Sequence, residues 1–563
     1  MHCLVDDEDF GKIINEVFQN KGGLLRVAFI FAFVGSIVSE NGTKIIVSDK
    51  KSCIFLSETM FFYMENDKNR RKKNIFAPNS SQKLCKMKKE IIGREYEFGL
   101  LEQALHSSES ELVVVYGRRR VGKTFLVNQF FSNRFSFKLT GVYDKPEAIQ
   151  LERFAMQMEE YGFSCDVPDD WFKAFDQLKN LLKQTQCEGK KVVFIDEMPW
   201  LDTEKSDFVA AFEQFWNGWA SAENDILMIA CGSATSWMTD KLLANKGGLF
   251  NRCGSRIFVR PFTLKETEQY LLSKGIVWTR YDIAECYMIM GGIPFYLKQL
   301  NPQWSYAQNI DNIFFKEKGL LWDEFNHLYD TLFKQPENHI AVVEALSKKR
   351  MGLTRNEIIE DTKLHDNGNL KVILENLADN EFIRPYNYFG KEKQDTIYQL
   401  TDFYSMFYFA YIKDNYGRDP HYWSNSTDDP SRRSWAGYTF EQLCLCHLEQ
   451  VKRAMGIAAV QCKVSAWFHK VAEGEKKSRG AQIDLIIDRR DRVINLCEMK
   501  FSINEFGIDK DYDAVLRNKI ETFREESKTK KALQLTMVTT YGVKKNMYYN
   551  RVQSEVVLDD LFL

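Results

Sequence analysis

The sequence predicts an α/β fold, and three observations support it. Residues 112–116 (LVVVY) form an uninterrupted apolar run of strand length. The octapeptide GRRRVGKT at 117–124 follows directly and runs into a helical pattern at 125–131. A second apolar run at 191–195 ends in the carboxylates Asp196 and Glu197 (KVVFIDEMPW at 191–200). Buried strands that end in glycine-rich or acidic turns, with helical patterns between them, are the arrangement of an α/β domain.

The order strand, G-x-x-x-x-G-K-[ST], helix has a physical purpose. A loop launched from a strand end into a helix N-terminus aims its backbone N–H groups at phosphate oxygens. Gly117, Arg118, Arg119, Arg120, Val121, Gly122, Lys123 and Thr124 are therefore the expected nucleotide-binding residues. Lys123 is placed to reach the β/γ-phosphates and the Thr124 hydroxyl to ligate Mg²⁺. The strand beside the first one is expected to deliver Asp196 to the metal shell, with Glu197 orienting or deprotonating the attacking water. The chain is thus expected to bind and hydrolyse a nucleoside triphosphate.

Bulk properties bound the rest. A length of 563 residues predicts three or four domains. Net charge is −2, from 76 basic and 78 acidic residues, so any nucleic-acid contact has to come from a local patch. The 12 cysteines are irregularly spaced, without a C-x-x-C pair, and the 8 histidines show no zinc spacing; both point to a reduced, cytoplasmic protein. Residues 1–87 stand apart as an N-terminal extension. The apolar run at 24–38 is interrupted by Arg26 and is short for a membrane span, and a basic cluster (KNRRKK) follows at 68–73. A membrane anchor, a small accessory segment, and translation ahead of a start at Met87 are the three readings. The last is preferred, and a membrane partner is not expected.

The ATPase core is expected over 88–265 and a helical lid over 266–335. Residues 92–98 (IGREYEF) resemble the entry motif of the AAA+/STAND group, a turn and helix that packs near the adenine. That resemblance implies ATP as the nucleotide. It also implies a polar γ-phosphate sensor where the apolar run 227–231 gives way to small polar residues, with Ser233 and Thr235 as candidates. Residues 290–297 (MGGIPFYL) resemble the end of the lid, where the proline, here Pro294, lies against the adenine. Arg252, Arg256 and Arg260 are clustered beyond the sensor, and a guanidinium at a γ-phosphate stabilises the charge in transfer. Arg252 is the choice for that role, from its own subunit or a neighbour in a homo-oligomer.

Residues 336–415 read as a winged helix. Thr354 and Glu357 form a capping box, Leu370, Ile373, Leu374 and Leu377 recur at helical spacing, and two short strand patterns follow. The third helix, with Asn367, Asn369 and Lys371 at its start, is the candidate for a DNA groove. Glu375, Asp379 and Glu381 oppose that reading and favour a protein–protein spacer.

In 430–563, Glu441 lies on a helical run, Asp484 within an apolar strand, and Glu498 and Lys500 on one face of the next strand by period-two alternation. Carboxylates so gathered would hold Mg²⁺ or Mn²⁺, with Lys500 orienting the water or offsetting phosphate charge. The pattern D-(x13)-E-x-K resembles the PD-(D/E)xK nuclease fold, a restriction-endonuclease-like α/β domain, with Ile483 in place of the leading proline. Taken together, residues 88–560 resemble a prokaryotic family of AAA+/STAND-like ATPases with a C-terminal DUF234-like domain. The resemblance implies ATP binding and DNA as a partner. The expected function is an ATP-driven switch coupled to a DNA-associated nuclease domain; the alternative is a nucleotide-dependent scaffold with an inert nuclease-like fold.

Overall fold

The computed structural model describes residues 91–244, 249, 252–391, 396–415, 419–469 and 480–563. The expectations about 24–38, the basic cluster and Met87 fall outside the described residues. The described part belongs to one compact unit, Cys85–Leu563.

Its first layer is a five-stranded parallel sheet in the order β2-β3-β4-β1-β5. The strands are β1 (Glu111–Tyr116), β2 (Phe137–Thr140), β3 (Lys191–Asp196), β4 (Ile226–Gly232) and β5 (Ser255–Phe258). Their continuous apolar runs are explained by burial on both faces. Val113, Val115, Phe194 and Ile229 point into one core with the helices Glu95–His106 and Lys123–Phe130. Val114, Val193, Ile195 and Met228 point into a second with the helices Glu147–Glu160, Trp171–Gln184 and Phe208–Gly218. The order corrects one expectation: the Asp196 strand is not the neighbour of β1. β4 is buried along its whole length and occupies the centre between them.

After the sheet come the helices Leu264–Ser273, Arg280–Met290, Pro294–Leu297 and Glu324–Leu332. The middle module runs helix Pro336–Ser347, β6 (Leu353–Thr354), helix Arg355–Thr362, helix Gly368–Asp379, β7 (Ile383–Tyr386) and β8 (Ile397–Leu400). Its strands form an antiparallel sheet in the order β6-β8-β7. The Thr354/Glu357 capping box is present. Asn367 is the N-cap of the following helix, its Oδ1 accepting from the backbone of Asn369 (2.9 Å) and Leu370 (3.2 Å). A side chain spent on a cap is not presented to a base edge.

The C-terminal module follows the helices Pro430–Cys446 and Leu448–Ala454. Its sheet is ordered β13-β12-β11-β10-β9, with β9 (Cys462–His469), β10 (Ala481–Arg489) and β11 (Val493–Lys500) antiparallel. The helix Lys510–Ser527 then leads to β12 (Ala532–Thr539) and β13 (Ser554–Val557), both parallel to β11. One apolar core runs from β1 through the helices that follow the sheet and those of the middle module to Phe440, Leu443 and Leu485.

Candidate functional site

Parallel strands bring their C-terminal ends to one edge, where open α/β sheets bind ligands. Gly117, at the end of β1, has φ 131°, and a Cβ there would meet the Val259 carbonyl at 2.5 Å, so glycine is required by close approach. Arg120 (φ 74°) and Gly122 (φ 92°) turn the loop into the helix that begins at Lys123. The Lys123 ammonium is buried and donates to the carbonyls of Gly117 (2.9 Å) and Arg118 (2.8 Å). Burial lowers its pKa, opposed by Cys231, Glu197 and Asp196 nearby.

Asp196 is reached across β4 by the Thr124 hydroxyl, which donates to its carboxylate. Burial and the neighbouring Glu197 push the Asp196 carboxyl up, while bonds from Cys231 and Thr124 restrain it. A hydroxyl beside a carboxylate at a helix N-terminus fits a hard divalent cation, and Thr124 and Asp196 are the residues that would hold it. Glu197 sits at φ 46°, a strained region for a side-chain-bearing residue. Its carboxylate accepts from the Ser233 hydroxyl (2.6 and 2.8 Å) and backbone N–H (3.3 Å). The expected water activator and the expected sensor are thus bonded to each other. Thr235 is buried at the start of the short helix Thr235–Trp237, its hydroxyl without a hydrogen-bond partner among the described residues.

The three arginines of the loop fan outward. Arg118 is buried against Asp402 at 2.7 Å, the cap of the helix Phe403–Phe407. Arg119 lies over the Trp200 ring at 5.7 Å, and its Nη1 is buried without a hydrogen-bond partner among the described residues, as is Nε of Arg118. Arg120 pairs with Glu324 and stacks on Phe295 at 4.3 Å. Buried, unsatisfied guanidinium nitrogens at a phosphate loop fit an anionic ligand.

The remaining expected residues divide. Arg94 donates to the carbonyls of Arg260 (2.7 Å) and Val121 (3.3 Å), seating the 92–98 motif on the loop. Gly292 has φ 64° and its carbonyl accepts from Phe262, so the turn before Pro294 rests on the segment that follows β5. Arg252 is not brought to the loop. It precedes β5, two residues before Gly254, whose N–H donates to the Leu112 carbonyl at the start of β1, and its own guanidinium donates to Asn217 at 2.8 Å. Arg260, two residues past β5, lies nearer the loop through its carbonyl, which accepts from Arg94, while its guanidinium is exposed, 3.9 Å from Glu381. Counting from strand ends separates the two.

Residues 91–300 match the model of a family described as an ATPase domain predominantly from Archaea. The matched segment, which carries the phosphate loop, is similar to an archaeal-type P-loop ATPase domain. An uncharacterized protein of Methanocaldococcus jannaschii is 25% identical over 420 residues, covering 73% of this chain and 87% of that protein. An uncharacterized ATP-binding protein of the same organism is 40% identical over 44 residues, 8% of this chain and 75% of that protein. A Walker-type ATPase of Pyrococcus abyssi aligns with 57% of this chain and 96% of its own, at 17% identity and a TM-score of 0.40. Among the described residues, no helix is long and apolar enough to cross a membrane.

Beyond the ATPase domain, the four expected C-terminal residues lie within electrostatic reach of one another. Glu441 projects from the helix Pro430–Cys446, and burial, then Asp484, raises its pKa to about 8. Asp484 sits at a bulge in β10, where the register with β9 shifts between Ile483 and Ile486. The bulge interrupts the strict alternation of the strand at this point. Glu498 is buried with both oxygens engaged: Lys500 (2.9 Å) and the Tyr512 hydroxyl (2.5 Å) on one, Lys519 (2.6 Å) on the other. Burial would raise its pKa, but Lys519 and Lys500 bring it down to about 2. Lys519 and Tyr512 were not identified from sequence, because both come from the helix Lys510–Ser527, beyond the motif. The donor set therefore departs from the expected metal site of Glu441, Asp484 and Glu498. Among the described residues, no group of three or more His, Cys, Asp or Glu is placed to hold a metal ion. Two ammonium groups already neutralise Glu498.

Proposed function

We propose that the chain is an ATP-hydrolysing switch whose nucleotide state is passed from the phosphate loop to a winged-helix-like middle module and a nucleic-acid-associated C-terminal module. One observation carries the reading. The loop that would hold the phosphates is tied by Arg118 to Asp402 and by Arg120 to Glu324, so a ligand there acts on residues outside the core sheet. In the proposed reaction Lys123 and the loop N–H groups bind the β/γ-phosphates, and Thr124 and Asp196 would hold a Mg²⁺ ion, which would neutralise charge on the phosphoryl group. Glu197 leaves Ser233 to orient the attacking water, freeing Ser233 to meet the γ-phosphate. Adenine lies between the 92–98 turn and Pro294. Arg260 takes the place assigned to Arg252 within one subunit; Arg252 remains available only to a neighbouring copy.

For the C-terminal module, the engagement of Glu498 favours binding of nucleic acid without cleavage. The nuclease reading requires Lys519 to release that carboxylate first. Purified protein is to be assayed for ATP hydrolysis and for plasmid cleavage in Mg²⁺ or Mn²⁺, with and without ATP. Lys123→Ala is expected to abolish hydrolysis, and Glu197→Gln to lower kcat by about 10²–10⁴-fold. Wild-type hydrolysis surviving Lys123→Ala would sink the ATPase assignment of this loop. Cutting that is lost in Lys500→Ala and altered in Lys123→Ala would establish a nucleotide-regulated nuclease; intact hydrolysis without cutting would leave a switch whose C-terminal module only binds.

A further inference from the structure

We infer that the cleft between the β7–β8 hairpin and the strands β9 and β10 is the binding path for a single nucleic-acid strand, and that it excludes a duplex. The inference rests on the nucleic-acid reading above, not on cleavage.

The hairpin is docked rather than projecting. Tyr388 forms a parallel bridge with Ala466 of β9, and the Phe389 N–H donates to the Ala466 carbonyl at 2.8 Å. The Tyr388 ring meets Phe468 at 4.6 Å and the Phe389 ring meets Phe523 at 5.1 Å, both edge-on. A hairpin bound to a sheet edge is not available to lie along the groove of a double helix. Between it and β10 opens a cleft of about 1240 Å³. That volume exceeds a small-molecule pocket of about 300–1,000 Å³. A double helix, with a major groove about 12 Å wide on an even wider body, would have to enter past the docked hairpin.

The lining has the chemistry of a strand path. Six basic residues (Lys348, Lys349, Arg350, Arg384, Lys391 and Lys463) line it against three carboxylates, Glu441, Asp484 and Asp488, in a chain whose net charge is −2. Asp488 is further offset by Lys531. Arg384 donates to the neutral amides of Gln399 and Gln442, and Arg350 to the Ser434 hydroxyl, so neither positive charge is cancelled there. Lys348 and Lys349 are shared with Asp361 and Glu357 on the outer side. Tyr386 and Tyr388, both partly exposed, line the same walls, with Trp467 buried beneath them in the core. Cations that follow a backbone, interleaved with rings on which bases stack, make a sequence-tolerant single-strand site. Glu441 and Asp484 lie in this cleft, so the strand would pass the acidic centre of the C-terminal module.

The test is fluorescence anisotropy of the full chain in EDTA, which removes cleavage from the readout. Labelled DNA and RNA strands of about 16 nucleotides, the upper site size for one binding fold, are compared with the matching DNA duplex. Polyglutamate serves as a competing anion. A strand is expected to bind at least tenfold tighter than the duplex, and the tighter of the DNA and RNA arms names the source. Lys391→Glu with Lys463→Glu should weaken strand binding at least tenfold and flatten the salt slope by about 1.4, two contacts at about 0.7 each. Tyr388→Ala should weaken it several-fold at unchanged salt slope. Thermal unfolding of each variant checks the fold. Duplex binding as tight as strand binding, or variants without effect, overturns the cleft while leaving the nucleic-acid reading standing. Full competition by polyglutamate also overturns it, since only a generic anion surface is then required. Absence of binding to every nucleic acid overturns both.

Discussion

At Glu441 a half-buried carboxyl faces Asp484, while at Glu498 a buried carboxyl faces two lysines. Burial raises both, yet the first is raised to about 8 and the second brought to about 2. The difference is the sign of the neighbouring charge. It has a stability consequence. Glu441 binds a proton in the folded chain over a range where the unfolded chain has lost it. Stability therefore falls as pH rises from about 4.5 towards 8, and the loss is complete above that. Glu441→Gln removes the titrating group, so its melting temperature relative to wild type should be higher at pH 9 than at pH 6. A constant difference across that range would show that Glu441 does not carry the raised pKa. Glu498 acts in the opposite sense: its stabilising ion pairs are present above about 4.5 and are lost as pH falls towards 2.

At the scale of elements, two strands behave unlike their sequence patterns. β10 carries a bulge at Asp484 that period two cannot encode. The β7–β8 hairpin, read as a free wing, covers the edge strand β9, which protects an otherwise open row of backbone groups. Phe389→Ala deletes the ring that meets Phe523, and its partial exposure should keep the cost to about 2 kcal/mol, below the ~3–5 kcal/mol of a fully buried ring. Hydrogen exchange should then accelerate in β7 and β9 while the helix Lys123–Phe130 keeps its protection. Uniform acceleration throughout the chain would mean that the hairpin is not a separable docking element. The helix Gly368–Asp379 packs against the short helix Thr235–Trp237, with Ser236 beside Asp379 at its C-terminal end, rather than being held free for a groove.

At the scale of the molecule, a buried ion pair links Arg118 of the phosphate loop to Asp402, just past β8 of the middle module. Breaking such a pair strands a buried charge and costs about 3–5 kcal/mol, whereas removing both charges costs less. Arg118→Ala should therefore destabilise the chain more than the double variant Arg118→Ala, Asp402→Asn, as measured by denaturant unfolding. If the single and double variants unfold alike, the pair carries no coupling between the modules. His447 supplies another joint: its Nε2 accepts from the Leu264 N–H at 2.9 Å, and burial lowers its pKa to about 4. That contribution is intact above about pH 6.5 and lost as pH falls towards 4.

Much of the nucleotide site was legible because its parts are contiguous. A strand, a glycine loop and a helix start are read from adjacent residues, and Lys123, Thr124, Asp196 and Ser233 do meet at one sheet edge. The sequence by itself determined which residues end up buried in strands, where the loop turns, and that acidic and basic groups recur at strand spacing near the C-terminus. Only the tertiary structure decided that β4 intervenes between β1 and β3, that Arg252 lies away from the phosphate loop while the Arg260 carbonyl holds Arg94 beside it, and that Lys519 reaches Glu498 from a helix outside the motif. The reason is physical. Local periodicity specifies which face a side chain takes, but strand order and long-range ion pairs are set by how apolar faces from distant segments close on a common core.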